Sequence, residues 1–397
     1  MNPNIQKLYD IAKKPKRLII GLMSGTSLDG LDIALCSIEG SGYRTKLELL
    51  KFETVAYDDD FKNEVRAVFS KREVDLEKLC LLNPWIALQH AAMIKNCLLQ
   101  WNIASTQIDL IASHGQTVYH APQHLHKQTK FGTATLQIGD GDHLAVATEI
   151  ITVSDFRQKN IAGGGEGAPL AVYGDHILFS KAGEARILLN IGGIANFTFL
   201  PGNEENIFCT DIGPGNTMMD ALMQQQFSGK SFDKDSQVAK SGMVNDELLS
   251  ALKENDFFKQ DFPKTTGPEL FNLKYLQKAK QVSNAEFLSV EDTMATLNRF
   301  TADMIVIAIK VCIKNKSSVK IFGSGGGIHN PLLMQQLQEQ LPGCDFMKIE
   351  ATGINSDAKE AILFAVLANE CICGDMKAEK EIKGILQISM GKISFPS

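Results

Sequence analysis

No stretch of this chain approaches the roughly 18 uninterrupted apolar residues that a membrane-spanning helix requires, although 44% of its 397 residues are hydrophobic. The opening segment, "MNPNIQKLYDIAKKPKRLII", lacks the continuous apolar core and small-residue cleavage site of a secretory signal. A cytoplasmic location and no membrane partner are the expectation. Cysteine pairing is missing too: eight cysteines are scattered, only Cys371 and Cys373 lie close together, and no CxxC offers zinc-ligand spacing. Reduced, mostly buried thiols are expected. Nor is there an excess of positive charge. With 40 Lys and Arg against 46 Asp and Glu, the net charge is -6 and the pI is near 5.8, so the phosphate neutralisation that drives nucleic-acid binding has no basis here. Two nucleotide signatures are absent as well: no glycine-rich turn ends in GK[ST], and none has GxGxxG at a βαβ start.

What the chain does contain is an alternation of strands and helices. Its length exceeds one ordinary core, and about 150 residues per domain implies two. Arg17 to Met23, Leu31 to Ile38 and "KLELLKFETVAY" form an antiparallel meander. Asp60 can cap a helix starting at Phe61, and the helical period in "LCLLNPWIALQHAAMIKNCLLQW" is interrupted at Pro84. "IDLIASHGQTV" and "EIITVSDFRQ" are apolar strands ending in polar residues, which makes the class α/β. A strand, a glycine turn and a strand recur in "ARILLNIGGIANFTFLPG", suggesting two lobes of related topology. The first lobe is drawn at 1–157 and the second at 158–365, with a C-terminal helix, 366–397, returning to the first. No low-complexity linker separates them, so close packing is expected.

Three glycine-rich turns follow apolar strands: "SGTSLDG" from Ser24, "DIGPGN" from Asp211 and "GSGGGIHN" from Gly323. Backbone there can approach a ligand without a Cβ in the way. In the first, successive N–H groups with the Thr26 and Ser27 hydroxyls make a nest suited to phosphate. In the second, Asp211 ends a strand before a helix that begins near Thr217, where a carboxylate can take a proton and the helix start favours phosphate. In the third, Asn330 caps a helix whose first residue is Pro331, and a flat base can lie against Gly325, Gly326 and Gly327. Each turn alone is equally compatible with a tight turn and nothing more. Arg157 and Asp155 stand beside the glycine run "AGGGEG", a lid or a hinge. His114 and Gln116 end a strand, facing either a cleft or the core. His120, His124 and His126 lack accompanying ligands and form a surface loop better than a metal site.

Taken in order, "GLMSGTSLDGLD", "SHGQTVYHAP", "LQIGDG", "SDFRQ", "GEGAPL", "LNIGGIANFT", "DIGPGNTMMDA", "FDKD", "TTGPELFN" and "GGGIHN" resemble the anhydro-N-acetylmuramic acid kinases nearly end to end. The resemblance implies a two-lobed actin/hexokinase-like (RNase H-like) fold with the ligand cleft between lobes. It implies ATP-dependent opening of the 1,6-anhydro ring of the sugar with phosphorylation of O6, in the recycling of cell-wall sugars, by a homodimer. ATP contacts then fall on Gly25, Thr26, Ser27, Leu28, Asp29, Gly30, Leu31 and Asp32, and further nucleotide contacts on Gly213, Gly215, Asn216, Gly325, Gly326 and Gly327. The catalytic aspartate falls on Asp211. Substrate contacts fall on Glu360, Arg157, His114 and Gln116. Asp29 or Asp32 can hold Mg²⁺ through water. Two positions depart from the family pattern, with Asn160 where Asp is usual and Glu166 where Gln is usual. Other readings are a kinase of another small sugar, or a nucleotide-controlled binding protein on the same scaffold.

Overall fold

The computed structural model describes residues 2–203, 207–313, 318–374 and 388–397. The expected meander forms as β1 (Lys16–Ser24), β2 (Gly30–Glu39) and β3 (Lys46–Ala56), paired antiparallel. β1 and β2 are buried almost throughout, as strands covered on both faces must be. β3 lies at the sheet edge and exposes Lys46, Glu48 and Lys51, charges that discourage pairing with another chain. β4 (Leu110–Ala121) runs parallel to β1, β5 (Ala134–Ile138) folds back on β4, and β6 (Thr152–Ser154) runs parallel to β4. The main order is β3-β2-β1-β4-β6.

The second sheet repeats this plan. β7 (Ala185–Ile191), β8 (Ile194–Leu200) and β9 (Phe208–Pro214) form an antiparallel meander. β10 (Val319–Ser324) then lies parallel to β7 and β11 (Cys344–Lys348) parallel to β10, in the order β9-β8-β7-β10-β11. Strand order and strand sense therefore match between the sheets, and each packs its own apolar core. β12 (Lys392–Ser394) adds antiparallel to β6.

The chain divides into one unit of Met1–Phe179 with Asp357–Ser397 and another of Ser180–Ser356. These boundaries differ from 157/158 and 365/366, because residues 158–179 and 357–365 pack with the first sheet. A side chain at Gly21 of β1 would overlap the Ala361 carbonyl of the Lys359–Cys373 helix, and one at Gly174 would overlap Leu363. At Gly21 only glycine lets the two backbones approach so closely, and at Gly174 it leaves room for the Leu363 side chain. A buried polar tie holds the far end of that helix: Arg17 Nε donates to Asn369 Oδ1 (2.7 Å), and both side chains donate to the Gly40 carbonyl. The helix ends at Cys373 instead of continuing through 366–397; residues 375–387 of that expected span lie outside the described residues.

Two local expectations also change. Asp58, not Asp60, caps the Asp59–Arg66 helix, because its extended backbone places Oδ1 2.8 Å from the Phe61 N–H. The Leu76–Gln100 helix runs through Pro84, and burial of Leu82, Ile86, Ala87 and His90 on either side offsets the one lost backbone bond. Among the described residues, no helix is long and apolar enough to cross a membrane.

Candidate active site

Five residues, Gly25 to Asp29, join β1 to β2 in the first unit. Leu28 takes a left-handed backbone (φ 59°) and is buried, while Thr26, Ser27 and Asp29 stay exposed. The buried leucine anchors the loop so that its hydroxyls face outward. Beneath it, Ser24 Oγ donates to Gln116 Oε1 at 2.5 Å. Gln116 is 0% exposed, so the structure places it under the hairpin and not on a surface that meets substrate. Asp32 is half-buried, and burial, then the Asp357 and Asp29 charges, raise its carboxyl against the lowering effect of the Thr54 hydroxyl (2.6 Å).

Arg157, in the Phe156–Ala162 helix, donates from Nε to His114 Nε2 (2.8 Å) and from Nη1 to the Gly167 carbonyl (2.8 Å). His114 must be neutral to accept that bond, and burial, followed by the Arg157 charge, pushes its pKa down to about 3. His114 thus orients Arg157. Glu360 keeps exposed surface, yet enough protein surrounds its carboxyl that desolvation raises it. Arg157 and Lys359 pull it back, while Asp32 and Asp175 add to the rise. Lys359 pairs with buried Asp175 at 2.8 Å. Asn160 is buried inside the glycine run, accepting from the Gly167 N–H (2.8 Å) and donating to Tyr173 Oη (2.9 Å). An uncharged amide can make both bonds without burying a charge, which accounts for Asn at this position; Glu166 lies exposed.

In the second unit, Asp211 lies within β9, which continues to Pro214, and not at the strand's end. Its Oδ2 accepts from the Thr266 N–H at 2.9 Å, and its own N–H donates to the Lys264 carbonyl at 2.9 Å. The segment "TTGPELFN" is therefore what fixes this carboxylate, a role its sequence did not disclose. Burial raises the Asp211 carboxyl, Thr266 lowers it, and the Glu269 charge raises it again. The glycine turns converge here. Gly215, Asn216 and Thr217 donate their N–H groups to the carbonyls of Gly192 and Gly193 (2.8 to 3.1 Å). Gly213 lies against the Phe258 ring, Gly215 against the Gly192 carbonyl and Gly327 against Ile191, all three buried. Their backbones are spent on protein contacts; Gly326 is exposed and Asn216 half-buried. Asn330 caps the Pro331–Gln340 helix as expected, its Oδ1 accepting from the Leu333 N–H at 2.9 Å.

A hydroxyl-lined hairpin on one α/β unit, and a desolvated aspartate beside glycine turns on another of the same topology, are the equipment of a phosphoryl-transfer protein. The model of the anhydro-N-acetylmuramic acid kinase family matches residues 17–391. Similar proteins with that name include one from Pseudoalteromonas atlantica, 55% identical over 400 residues, and one from Pseudoalteromonas translucida, 53% identical over 399 residues. Both matches cover 100% of each chain. A solved hexokinase from Schistosoma mansoni, complexed with glucose, is 10% identical with a TM-score of 0.36, covering 90% of this chain and 86% of its own. The chain belongs to the anhydro-N-acetylmuramic acid kinase family.

Proposed function

We propose that this protein is an ATP-dependent kinase that opens 1,6-anhydro-N-acetylmuramic acid with water and phosphorylates its O6. The products are N-acetylmuramic acid 6-phosphate and ADP, and the setting is peptidoglycan recycling. Beside family membership, the observation that carries the reading is Asp211, a carboxylate raised by burial and held by one N–H. Among the described residues its Oδ1 accepts no hydrogen bond, and a raised carboxylate is the stronger base. Water attacks C1, its proton passes to Asp211, the C1–O6 bond breaks, and O6 takes the γ-phosphoryl group as ADP leaves. The displacement needs little covalent help from the protein beyond positioning and charge stabilisation.

The open N–H groups of Gly25 to Asp29 and the Thr26 and Ser27 hydroxyls are assigned to the phosphates, with buried Leu28 as anchor and Gly30, Leu31 and Asp32, paired in β2, framing the loop. Gly326, beside Asn216, offers open backbone for the nucleotide, while Gly213, Gly215, Gly325 and Gly327 hold the turns in shape. Glu360 and Arg157 are assigned to the sugar. Among the described residues no three His, Cys, Asp or Glu side chains could hold a metal directly. The hard oxygens of Asp29 and Asp32, in their negative surroundings, fit Mg²⁺ bound through water. When bound, the ion would neutralise charge on the transferring phosphoryl group. A cytoplasmic homodimer completes the reading.

The deciding experiment is coupled ADP release with Mg-ATP and the anhydro sugar, beside ordinary N-acetylmuramic acid and a no-sugar control. Turnover with the anhydro sugar alone, giving the 6-phosphate, is the expected result. Turnover only with another sugar moves the assignment to that acceptor, and ATP binding without sugar dependence moves it to a binding protein.

A further inference from the structure

Under the β1–β2 hairpin lies a buried run of hydrogen bonds drawn from three elements of the first unit and from Tyr57, just past the end of β3. His90, in the Leu76–Gln100 helix, has Nε2 2.9 Å from Tyr57 Oη; Tyr57 Oη is 2.7 Å from Ser24 Oγ; Ser24 donates to Gln116 Oε1. Gln116 Nε2 in turn donates to the Thr117 carbonyl at 3.3 Å and reaches the Gly25 carbonyl at 3.5 Å. All four side chains are buried.

Proton counting gives the run one direction. Ser24 spends its proton on Gln116, so it accepts from Tyr57. Tyr57 has then spent its own and accepts from His90, which carries its proton on Nε2. Burial keeps the imidazole neutral, with a pKa pushed down to about 4. The Tyr57 ring stacks on Phe61 at 3.8 Å between centroids, and Phe61 stacks on Trp85, so the hydroxyl has little freedom to turn away. Within the hairpin above, the Leu28 N–H reaches the Gly25 carbonyl at 3.4 Å, and at its far end the Asp29 carbonyl accepts from the Tyr57 N–H at 3.2 Å, so Tyr57 meets the loop by its backbone as well as through the relay. A buried polar chain is costly where its members go unpaired; here the Tyr57, Ser24 and Gln116 side chains are each paired on both sides, and the chain ends at the first residue of the hairpin.

We infer that Tyr57 and His90 are positioning residues for phosphoryl transfer: acting through Ser24 and Gln116, they hold Gly25 to Asp29 ready for the phosphates of a nucleoside triphosphate. The inference rests on the kinase reading for its ligand, not for its geometry. Preorganised donors do not have to be ordered by the ligand that binds them.

The test compares Tyr57→Phe, His90→Leu and His90→Gln with the parent, since a Gln amide can donate where Nε2 does. Steady-state ADP release gives KM for ATP and for sugar; direct titration with ADP and amide hydrogen exchange of the hairpin need no turnover. Tyr57→Phe and His90→Leu are expected to raise KM for ATP and the ADP dissociation constant about tenfold, as loss of a buried hydrogen bond does. KM for sugar stays within about twofold, hairpin amides exchange faster, and His90→Gln recovers most of the loss. Unchanged ADP affinity and hairpin exchange in Tyr57→Phe would overturn the inference. So would equal loss in both KM values with no recovery in His90→Gln. A parent without sugar-dependent turnover removes the activity reading only, and ADP titration and exchange still decide the role of the relay.

Discussion

The hairpins β1–β2 and β7–β8 occupy the same place in two sheets of the same order, yet they use their backbones in opposite ways. The first has five linking residues, enough for Leu28 to turn down into the core while Thr26, Ser27 and Asp29 turn out. The second has two, Gly192 and Gly193, whose carbonyls accept from Gly215, Asn216 and Thr217. One loop leaves Thr26, Ser27 and Asp29 exposed, as the proposed phosphate contacts need; the other clamps the junction between β9 and the helix that follows. Loop length decides this, because only the longer link can dip an anchor into the core and still return to its strand. Repeated topology therefore did not bring repeated chemistry, and the residue suited to act as base sits on the clamped side.

The largest effect should come from that side. Asp211→Asn is expected to lower turnover by about 10² to 10⁴ while ADP affinity at the first hairpin stays within about twofold. Turnover within a few-fold of the parent would remove Asp211 as the base. A pair of glycine substitutions then separates clamp from cradle. Gly215→Ala drives a methyl group into the Gly192 carbonyl and should cost about 1–3 kcal/mol in chemical denaturation. Gly25→Ala meets nothing nearer than Ser27 Oγ at 3.6 Å and should stay within about 0.5 kcal/mol. Equal losses at the two positions would erase the contrast between the hairpins.

The smallest expected effect is on pH. As the proposed base, Asp211 would work deprotonated, so activity is expected to be full above its folded pKa and to fall as pH drops through it. Because burial and then Glu269 raise that pKa against Thr266, the acid limb of kcat should lie above the ordinary carboxylate range. Glu269→Gln removes a like charge and should move the limb to lower pH; a limb that stays put means Glu269 does not act on Asp211.

Much of the scaffold was legible in the chain. The period-2 runs marked β1 to β3, "ARILLNIGGIANFTFLPG" marked the second opening, and Asn330-Pro331 marked a helix start, because each depends on neighbours a few residues apart. The motifs also pointed to Asp211 and Arg157 as candidates, and the family resemblance pointed to Glu360. What they hid was use. Gln116 sits in the same motif as His114, yet it lies under the hairpin, while His114 orients Arg157. Gly213 and Gly215, which read like exposed turn glycines, are packed against Phe258 and Gly192. Pro84 read as a break, but neighbours packed on either side carry the helix through it.

Local pattern and composition determined the two α/β openings, the glycine turns, the acidic net charge and the family. Those properties are set by side-chain periodicity, backbone freedom and residue order, all short-range or summed along the chain. Tertiary structure alone decided that residues 158–179 and 357–365 join the first unit, that Thr266 holds Asp211, and that Tyr57 and His90 reach Ser24. Each depends on groups tens to hundreds of positions apart, brought together when apolar surfaces are buried and every buried donor must find an acceptor.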